Sequence, residues 1–313
     1  MSWQVLEGDA LETLAGLEAG SVQCCVTSPP YWGLRDYGQP GQLGLEPTPG
    51  EYVARMVAVF AEVRRVLRDD ATLWLNLGDS YAAGCMTGRQ GANSTTGKNA
   101  GQGERTRLPP RKAPKGLKPK DLCGIPWRVA FALQEDGWYL RSDFVWAKPN
   151  PMPESITDRP TKAHEYLFML TKKARYYYDS DAIREDGILG PHTRDRASNF
   201  KKAGEVGNHT SGGNSQIILD GTRNRRSVWT IPTQPYSGAH FAVMPPALIE
   251  PCIKAGTKPG DLVLDPFSGA GTVGMVARRL QRSYVGIELN PEYADMSRRR
   301  IDGDAPLFNR AGK

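Results

Sequence analysis

Leu262-Val263-Leu264-Asp265-Pro266-Phe267-Ser268-Gly269-Ala270-Gly271-Thr272 is the most legible segment of the chain. Its apolar start, closed by an acid, reads as a short buried strand. A helix with Val273, Val276 and Leu280 on one face follows the glycine loop, and a second strand, Tyr284 to Ile287, ends in Glu288. Strand, glycine turn, helix, strand and terminal acid make the nucleotide-binding βαβ arrangement. The glycines let backbone approach a ligand, and the acid accepts hydrogen bonds from ribose hydroxyls. The loop reads GxG without the third spaced glycine, so it departs from the dinucleotide fingerprint. Asn290-Pro291 then caps a last helix carrying Met296 and the basic run Arg298 to Arg300, read as a solvated face.

Near the other end of the chain, the apolar run Val22 to Val26 leads into Thr27-Ser28-Pro29-Pro30-Tyr31. Two prolines bar further strand pairing and stiffen the loop. A loop at the carboxyl end of a parallel strand lies where open α/β sheets bind ligands. Ser28 and the Pro29 carbonyl offer acceptors to an amino group, and Tyr31 offers a ring to stack on the ring bearing it. Alone, the motif reads as a strand-ending turn with a buried tyrosine, and the rest of the chain turns the reading towards a ligand site.

Between these poles the pattern alternates strands and helices. Trp3 to Leu6 reads as a strand, followed by Gly8-Asp9-Ala10 and an amphipathic stretch to Leu17. Residues 32–47, glycine-rich with Trp32 and Tyr37, read as a mobile surface loop. Thr48-Pro49-Gly50-Glu51 is a capping box with proline at the first helical position, ahead of a helix whose apolar face is Val53, Met56, Val57, Phe60, Val63 and Leu67. Thr72 to Leu77 is a buried strand ending in Gly78-Asp79-Ser80. Pro126 opens a helix that Gly137 stops, and Leu140 to Trp146 is a strand ending near Lys148-Pro149-Asn150. Tyr166 to Leu170 and Arg175 to Tyr178 predict a hairpin around Lys172-Lys173. His164 reads as a structural residue.

Charge is unevenly placed. Of the net +6, residues 84–120 carry +8, nine Lys/Arg against Glu104 alone, and residues 184–226 carry +3. The remainder is therefore acidic, at −5, and the two basic inserts point to a polyanionic partner. The five cysteines and four histidines show no metal-like spacing, so no metal is expected. Cys24 and Cys25 read as core residues of a reducing compartment, and Cys252, inside a helix from Pro246 to Ala255, as structural despite its preceding proline. No membrane-spanning run or leader is evident, which predicts a cytoplasmic protein.

In combination and order, these motifs resemble the amino-methyltransferases that act on DNA, in the permuted group usually called β. The resemblance implies an α/β, Rossmann-like S-adenosylmethionine-dependent methyltransferase fold. It further implies a mostly parallel seven-stranded sheet with an antiparallel hairpin and a circularly permuted motif order. The whole of 1–313 would be one catalytic domain, with 84–120 a basic loop and 184–226 the target-recognition region. Ser28, Pro29, Pro30 and Tyr31 resemble the loop that holds the target amine. Asp9 and Ala10 resemble the adenine-contacting turn, and Asp265, Pro266, Phe267, Ser268, Gly269, Gly271 and Thr272 the cofactor loop. Glu288 resembles the ribose-binding acid, with Asn290 beside it. Phe241, in His240-Phe241-Ala242, resembles the segment closing on the methionine end. Trp146 and Lys148 resemble the lining of the base pocket.

Such an enzyme uses S-adenosylmethionine and double-stranded DNA, with Arg105, Arg107, Arg111, Lys112, Arg223, Arg225 and Arg226 as expected DNA contacts. Serine ahead of Pro-Pro-Tyr favours cytosine N4 over adenine N6 as the acceptor. A homodimer and a cognate restriction endonuclease are the protein partners such an enzyme admits. Two other classes stay open: a methyltransferase of the same fold acting on RNA or a protein amide, and a DNA-binding module with a decayed cofactor site. The inserts and motif order disfavour the first, and Glu288 with an intact Ser-Pro-Pro-Tyr disfavours the second. The incomplete glycine fingerprint disfavours a nicotinamide dehydrogenase.

Overall fold

A computed structural model describes residues 2–34, 36–82, 113–114, 116–187, 192–195, 216–219, 221–234 and 243–304. In chain order its elements are β1 (Trp3–Glu7), α1 (Ala10–Ala15), β2 (Val22–Thr27), α2 (Pro49–Val66), β3 (Leu67–Leu77), α3 (Ile125–Glu135), β4 (Tyr139–Ala147) and β5 (His164–Thr171). The short strands β6 (Glu185–Asp186), β7 (His192–Asp195), β8 (Gln216–Leu219), β9 (Thr222–Arg223) and β10 (Val228–Thr230) follow. Last come α4 (Pro246–Gly256), β11 (Leu262–Asp265), α5 (Thr272–Arg279), β12 (Ser283–Glu288) and α6 (Pro291–Gly303).

Eight strands form one sheet in the order β1-β12-β11-β2-β3-β5-β4-β10. The first five run parallel, β5 runs antiparallel to both its neighbours, and three-residue β10 adds a parallel edge to β4. Strands from the C-terminal third thus sit between β1 and β2, which is the permuted order in physical form. The seven expected strands gain β10 as an eighth.

Alternation along the strands separates two apolar layers. Cys25, Leu73, Leu75, Phe168 and Leu170 face a layer that includes residues of α1, α2 and α3. Cys24, Val26, Trp74, Leu167 and Met169 face residues of α4, α5 and α6. Because both faces are covered, β2 is buried along its whole length. Cys252 is one of these core residues: burial pushes its thiol well above the ordinary range, and it donates to Leu248 O.

Local chemistry starts the helices. Thr48 and Glu51 make the reciprocal capping box of α2, with Pro49 at its first turn. Its buried face is Tyr52, Met56, Val59, Phe60, Val63 and Val66, rotated from the expected one, with Val53 and Val57 only partly covered. α3 has no side-chain cap of its own; Asp79 Oδ1, from the turn after β3, accepts its Ile125 N–H at 3.0 Å.

The hairpin expected between Tyr166–Leu170 and Arg175–Tyr178 is not formed. Both edges of β5 are filled, by β3 and β4, so residues 175–178 have no edge to join. They cross the start of β3 instead, where Tyr177 N–H donates to Asp70 O at 2.8 Å. The antiparallel hairpin of the fold is β4–β5.

Candidate active site

Parallel strands bring their carboxyl ends to one edge of the sheet. Antiparallel β5 brings its amino end there, and β4 returns its carboxyl end, since Leu77 pairs with Tyr166 and Trp146 with Glu165. Five strand ends therefore set Asp9, Glu288, Asp265, the Ser28–Tyr31 loop and Gly78-Asp79 along one rim, with Glu165 and Lys148 closing it.

At the Pro-Pro-Tyr end of this rim, the Ser28 hydroxyl donates to Tyr31 Oη at 3.1 Å. Tyr31 Oη lies 2.8 Å from Glu165 Oε2 and 3.0 Å from Asn76 Oδ1, with one proton for the two acceptors. Glu165 is ion-paired through its other oxygen with Lys148, whose ammonium sits 4.2 Å from the centre of the Trp146 ring. Burial holds the Tyr31 phenol well above its ordinary pKa, and the neighbouring carboxylate pushes it the same way, so it stays neutral. The ring packs on Gly78, where an added Cβ would lie 2.5 Å from Tyr31 Cε2. Buried Tyr52 donates to Pro30 O at 2.9 Å, committing that carbonyl to α2.

The segment after Tyr31, expected to be a loose surface loop, is fastened from both sides. Trp32 is buried and donates to Glu46 O, Gly33 N–H donates to Gly44 O, and Arg55 of α2 reaches Gly41 O, Gln42 O and Glu46. An arginine one turn inside a helix carries no local sign of this role.

At the glycine-loop end, the Glu288 carboxylate accepts Gly269 N–H at 2.8 Å and Asn290 N–H at 2.9 Å. Burial raises its pKa, and those backbone donors oppose the rise. Gly8 N–H donates to Glu288 O, which seats Asp9 beside it; Asp9 Oδ1 caps α1 through Leu11 and Glu12 N–H, and Ala10 is buried behind. Asn290 caps α6 through Glu292 N–H.

Three of the expected loop residues turn their polar atoms inward. Asp265, 2% exposed, accepts from Thr27 and from Phe267 N–H, and burial lifts its carboxyl to about 7. Ser268 Oγ lies 2.9 Å from Tyr284 Oη and 3.1 Å from Ser297 Oγ. Thr272 and the Ala270 carbonyl are held by Arg300, at 2.7 and 3.1 Å. Gly271, at φ +73°, lies so close to α6 that a Cβ would meet Ser297 Oγ at 2.4 Å. Arg298 likewise binds Glu7 and Val5 O. The run Arg298–Arg300 is therefore not a simple solvated face: α6 grips β1 and the glycine loop.

Phe267, Gly269, Asp9 and the Glu288 carboxylate remain partly accessible, while Pro266 is buried. Each Glu288 oxygen takes one backbone donor and keeps capacity for another. An acid so held, beside a loop position without Cβ and a half-exposed aromatic ring, fits the ribose and base of an adenosine group. The residues present thus suit S-adenosylmethionine.

Trp146 is not an open stacking surface. It is buried, and its indole N–H donates to Ile231 O at 2.8 Å, so its part in the rim is to carry Lys148. Arg223 and Arg226 both bind Glu185, and Arg225 stacks 4.7 Å from the Trp229 ring centre, so each arginine has a protein partner, although Arg226 is exposed. Phe241, Arg105, Arg107, Arg111 and Lys112 lie outside the described residues. His164, half-buried, has its pKa lowered by burial and then by Lys162, and meets Tyr166 edge-on. Glu165 and Asn76 were not anticipated. Their one sequence signal is polarity at the mouth of an apolar strand.

With this geometry in place, comparison with known proteins is specific. The DNA methylase family model of N6- and N4-methyltransferases matches residues 22–299. The chain belongs to that family. This DNA methylase is 52% identical over 300 residues to the type II methyltransferase M.Cfr9I of Citrobacter freundii, a match covering 96% of this chain and 88% of the relative. It is 48% identical to M.SmaI of Serratia marcescens, over 96% of this chain and 91% of that one. Among solved structures, the cytosine-N4-specific PvuII DNA methyltransferase superposes with a TM-score of 0.63 at 20% identity, over 99% of this chain and 92% of that one. A provisionally assigned DNA modification methylase of Thermus thermophilus, solved with S-adenosyl-L-methionine, gives 0.61 at 23% identity, over 98% and 96%. The family is one of enzymes: the chain is an S-adenosylmethionine-dependent DNA amino-methyltransferase. Among the described residues no helix is long and apolar enough to cross a membrane.

Proposed function

We propose that this DNA methylase methylates the N4 amine of a cytosine flipped out of double-stranded DNA. The observation that carries the reading is a neutral hydroxyl at the head of the Pro-Pro-Tyr loop, with its proton directed to Tyr31. The lone pairs of Ser28 Oγ are then available to the amine, and the same hydroxyl, turned, serves ring nitrogen N3 beside it.

An exocyclic amine is a weak nucleophile because its lone pair is delocalised into the ring. Ser28 and the Pro29 carbonyl polarise its N–H bonds and favour the pyramidal form. Tyr31, braced against Gly78, gives the flipped base a face to stack on. S-adenosylmethionine supplies an activated methyl group when bound, so the residues' task is to place the amine in line with it. Glu288, Asp9, Phe267 and Gly269 hold the nucleoside part. The catalytic unit is the single sheet with its two helical layers, and the basic inserts hold DNA. The type II names of the relatives support a companion endonuclease acting at the same sequence.

Nucleosides from DNA methylated by the purified protein, separated and weighed by mass spectrometry, test the reading. N4-methylcytosine is expected. N6-methyladenine alone would replace the acceptor while leaving the amine site in place.

A further inference from the structure

We propose that the proton shed by the target amine leaves through Tyr31 to the Glu165 carboxylate, making these two residues an exit path for the reaction. The inference rests on the reading above that Ser28 faces the amine. It gives Tyr31 a second task besides stacking.

Methyl transfer creates the proton. The amine lone pair forms the new C–N bond, the C–S bond breaks with its electron pair going to sulfur, and the nitrogen is left positively charged. One N–H proton must then go. Ser28 Oγ takes it while passing its own to Tyr31 Oη, and Tyr31 passes its own to Glu165 Oε2. One proton has moved, the nitrogen is neutral again, and the carboxylate has become a carboxylic acid.

Four observations support this route. The three oxygens stand in series at 3.1 and 2.8 Å, and the Ser28 hydrogen already points along it. The Tyr31 phenol is held neutral, as a group that only passes protons must be. Lys148 pairs with the other Glu165 oxygen, which leaves Oε2 turned to the Tyr31 hydroxyl. The Glu165 and Lys148 side chains are each 17% exposed, so the proton can go on to solvent. Asn76 competes for the Tyr31 proton but is a neutral acceptor with no capacity to keep it.

Tyr31→Phe, Glu165→Gln and the double variant test the proposal in single-turnover methyl transfer from labelled S-adenosylmethionine. Cofactor and DNA affinities are measured separately. Tyr31→Phe keeps the ring, and each single change should slow the chemical step about 100-fold, within the range of a lost proton-transfer group. Affinities should stay within about twofold, and the double variant should be no slower than the slower single one, because both interrupt one path. Should Glu165→Gln fold poorly, with Lys148 left unpaired, Tyr31→Phe decides alone. A Tyr31→Phe protein with the wild-type chemical rate, multiplicative losses in the double variant, or losses confined to affinity would each overturn the path. Ser28→Ala separates the two readings: a wild-type rate there removes Ser28 from the amine site, whereas a slow Ser28→Ala beside a fast Tyr31→Phe removes the path alone.

Discussion

The Thr27 hydroxyl donates to Asp265 Oδ1 at 2.6 Å, although the two residues stand 238 positions apart in the chain. Thr27 is the last residue of β2, before the Pro-Pro-Tyr loop, and Asp265 the last of β11, before the glycine loop. β2 and β11 are parallel neighbours, so this bond joins the two loops at their roots. The same Asp265 oxygen accepts Phe267 N–H, so one buried carboxyl sets the spacing between the glycine loop and the Pro-Pro-Tyr loop.

Thr27→Val removes the hydroxyl at nearly constant volume and leaves a buried acceptor short of a partner. Stability should fall by about 1–3 kcal/mol in urea denaturation, and Thr27→Ser should retain most of it. Equal stability of Thr27→Val and the wild-type protein would show that the bond does not tie the loops.

The Asp265 carboxyl is held up to about 7 by burial, with the Thr27 hydroxyl and Phe267 N–H pulling the other way. The folded protein therefore keeps a proton that the unfolded chain gives up at the ordinary carboxylate value. Stability from this group is fully present below that ordinary value and is lost as pH rises through about 7. Asp265→Asn still accepts from Thr27 and has nothing to ionise. From about pH 4.5 to 7.5 it should lose less stability than the wild-type protein, by on the order of a few kcal/mol. Parallel pH profiles of melting temperature would mean that Asp265 is already ionised.

Glu288→Ala strands Gly269 N–H and Asn290 N–H and removes the acceptor proposed for ribose hydroxyls. S-adenosylmethionine affinity, read by calorimetry, should weaken by about 1–3 kcal/mol. Unchanged affinity would take Glu288 out of the site.

DNA affinity should fall steeply with salt. Neutralising Arg105, Arg107, Arg111 and Lys112 together should flatten the slope of log affinity against log salt by about 0.9 for each phosphate left without its cation. Fluorescence anisotropy over a salt series reads this directly. Arg223 and Arg226, already bound to Glu185, should contribute less to the slope than their charge suggests. A slope unmoved by the first set would place DNA elsewhere.

Elements whose cause is local are legible along the chain. The apolar run of β2, the proline loop after it, the glycine turn between β11 and α5, and the capping box of α2 follow from neighbouring side chains and backbone limits. They hold as read. Where two distant segments had to choose each other, the outcome came from packing across the fold. Strand β5 took β3 and β4 as partners, because hydrogen bonding along an edge is indifferent to sequence, and left residues 175–178 without a place in the sheet. Arg298 and Arg300 look like solvent charges until α6 packs on the sheet and brings them to Glu7 and the glycine loop. Glu165 is one charge ahead of an apolar strand until antiparallel pairing sets it beside Lys148 and Tyr31. Hydrophobic period and backbone chemistry act over a few residues and can be read along the chain. The partner of a buried hydroxyl or charge is chosen by geometry across the fold, and that choice made this rim a site.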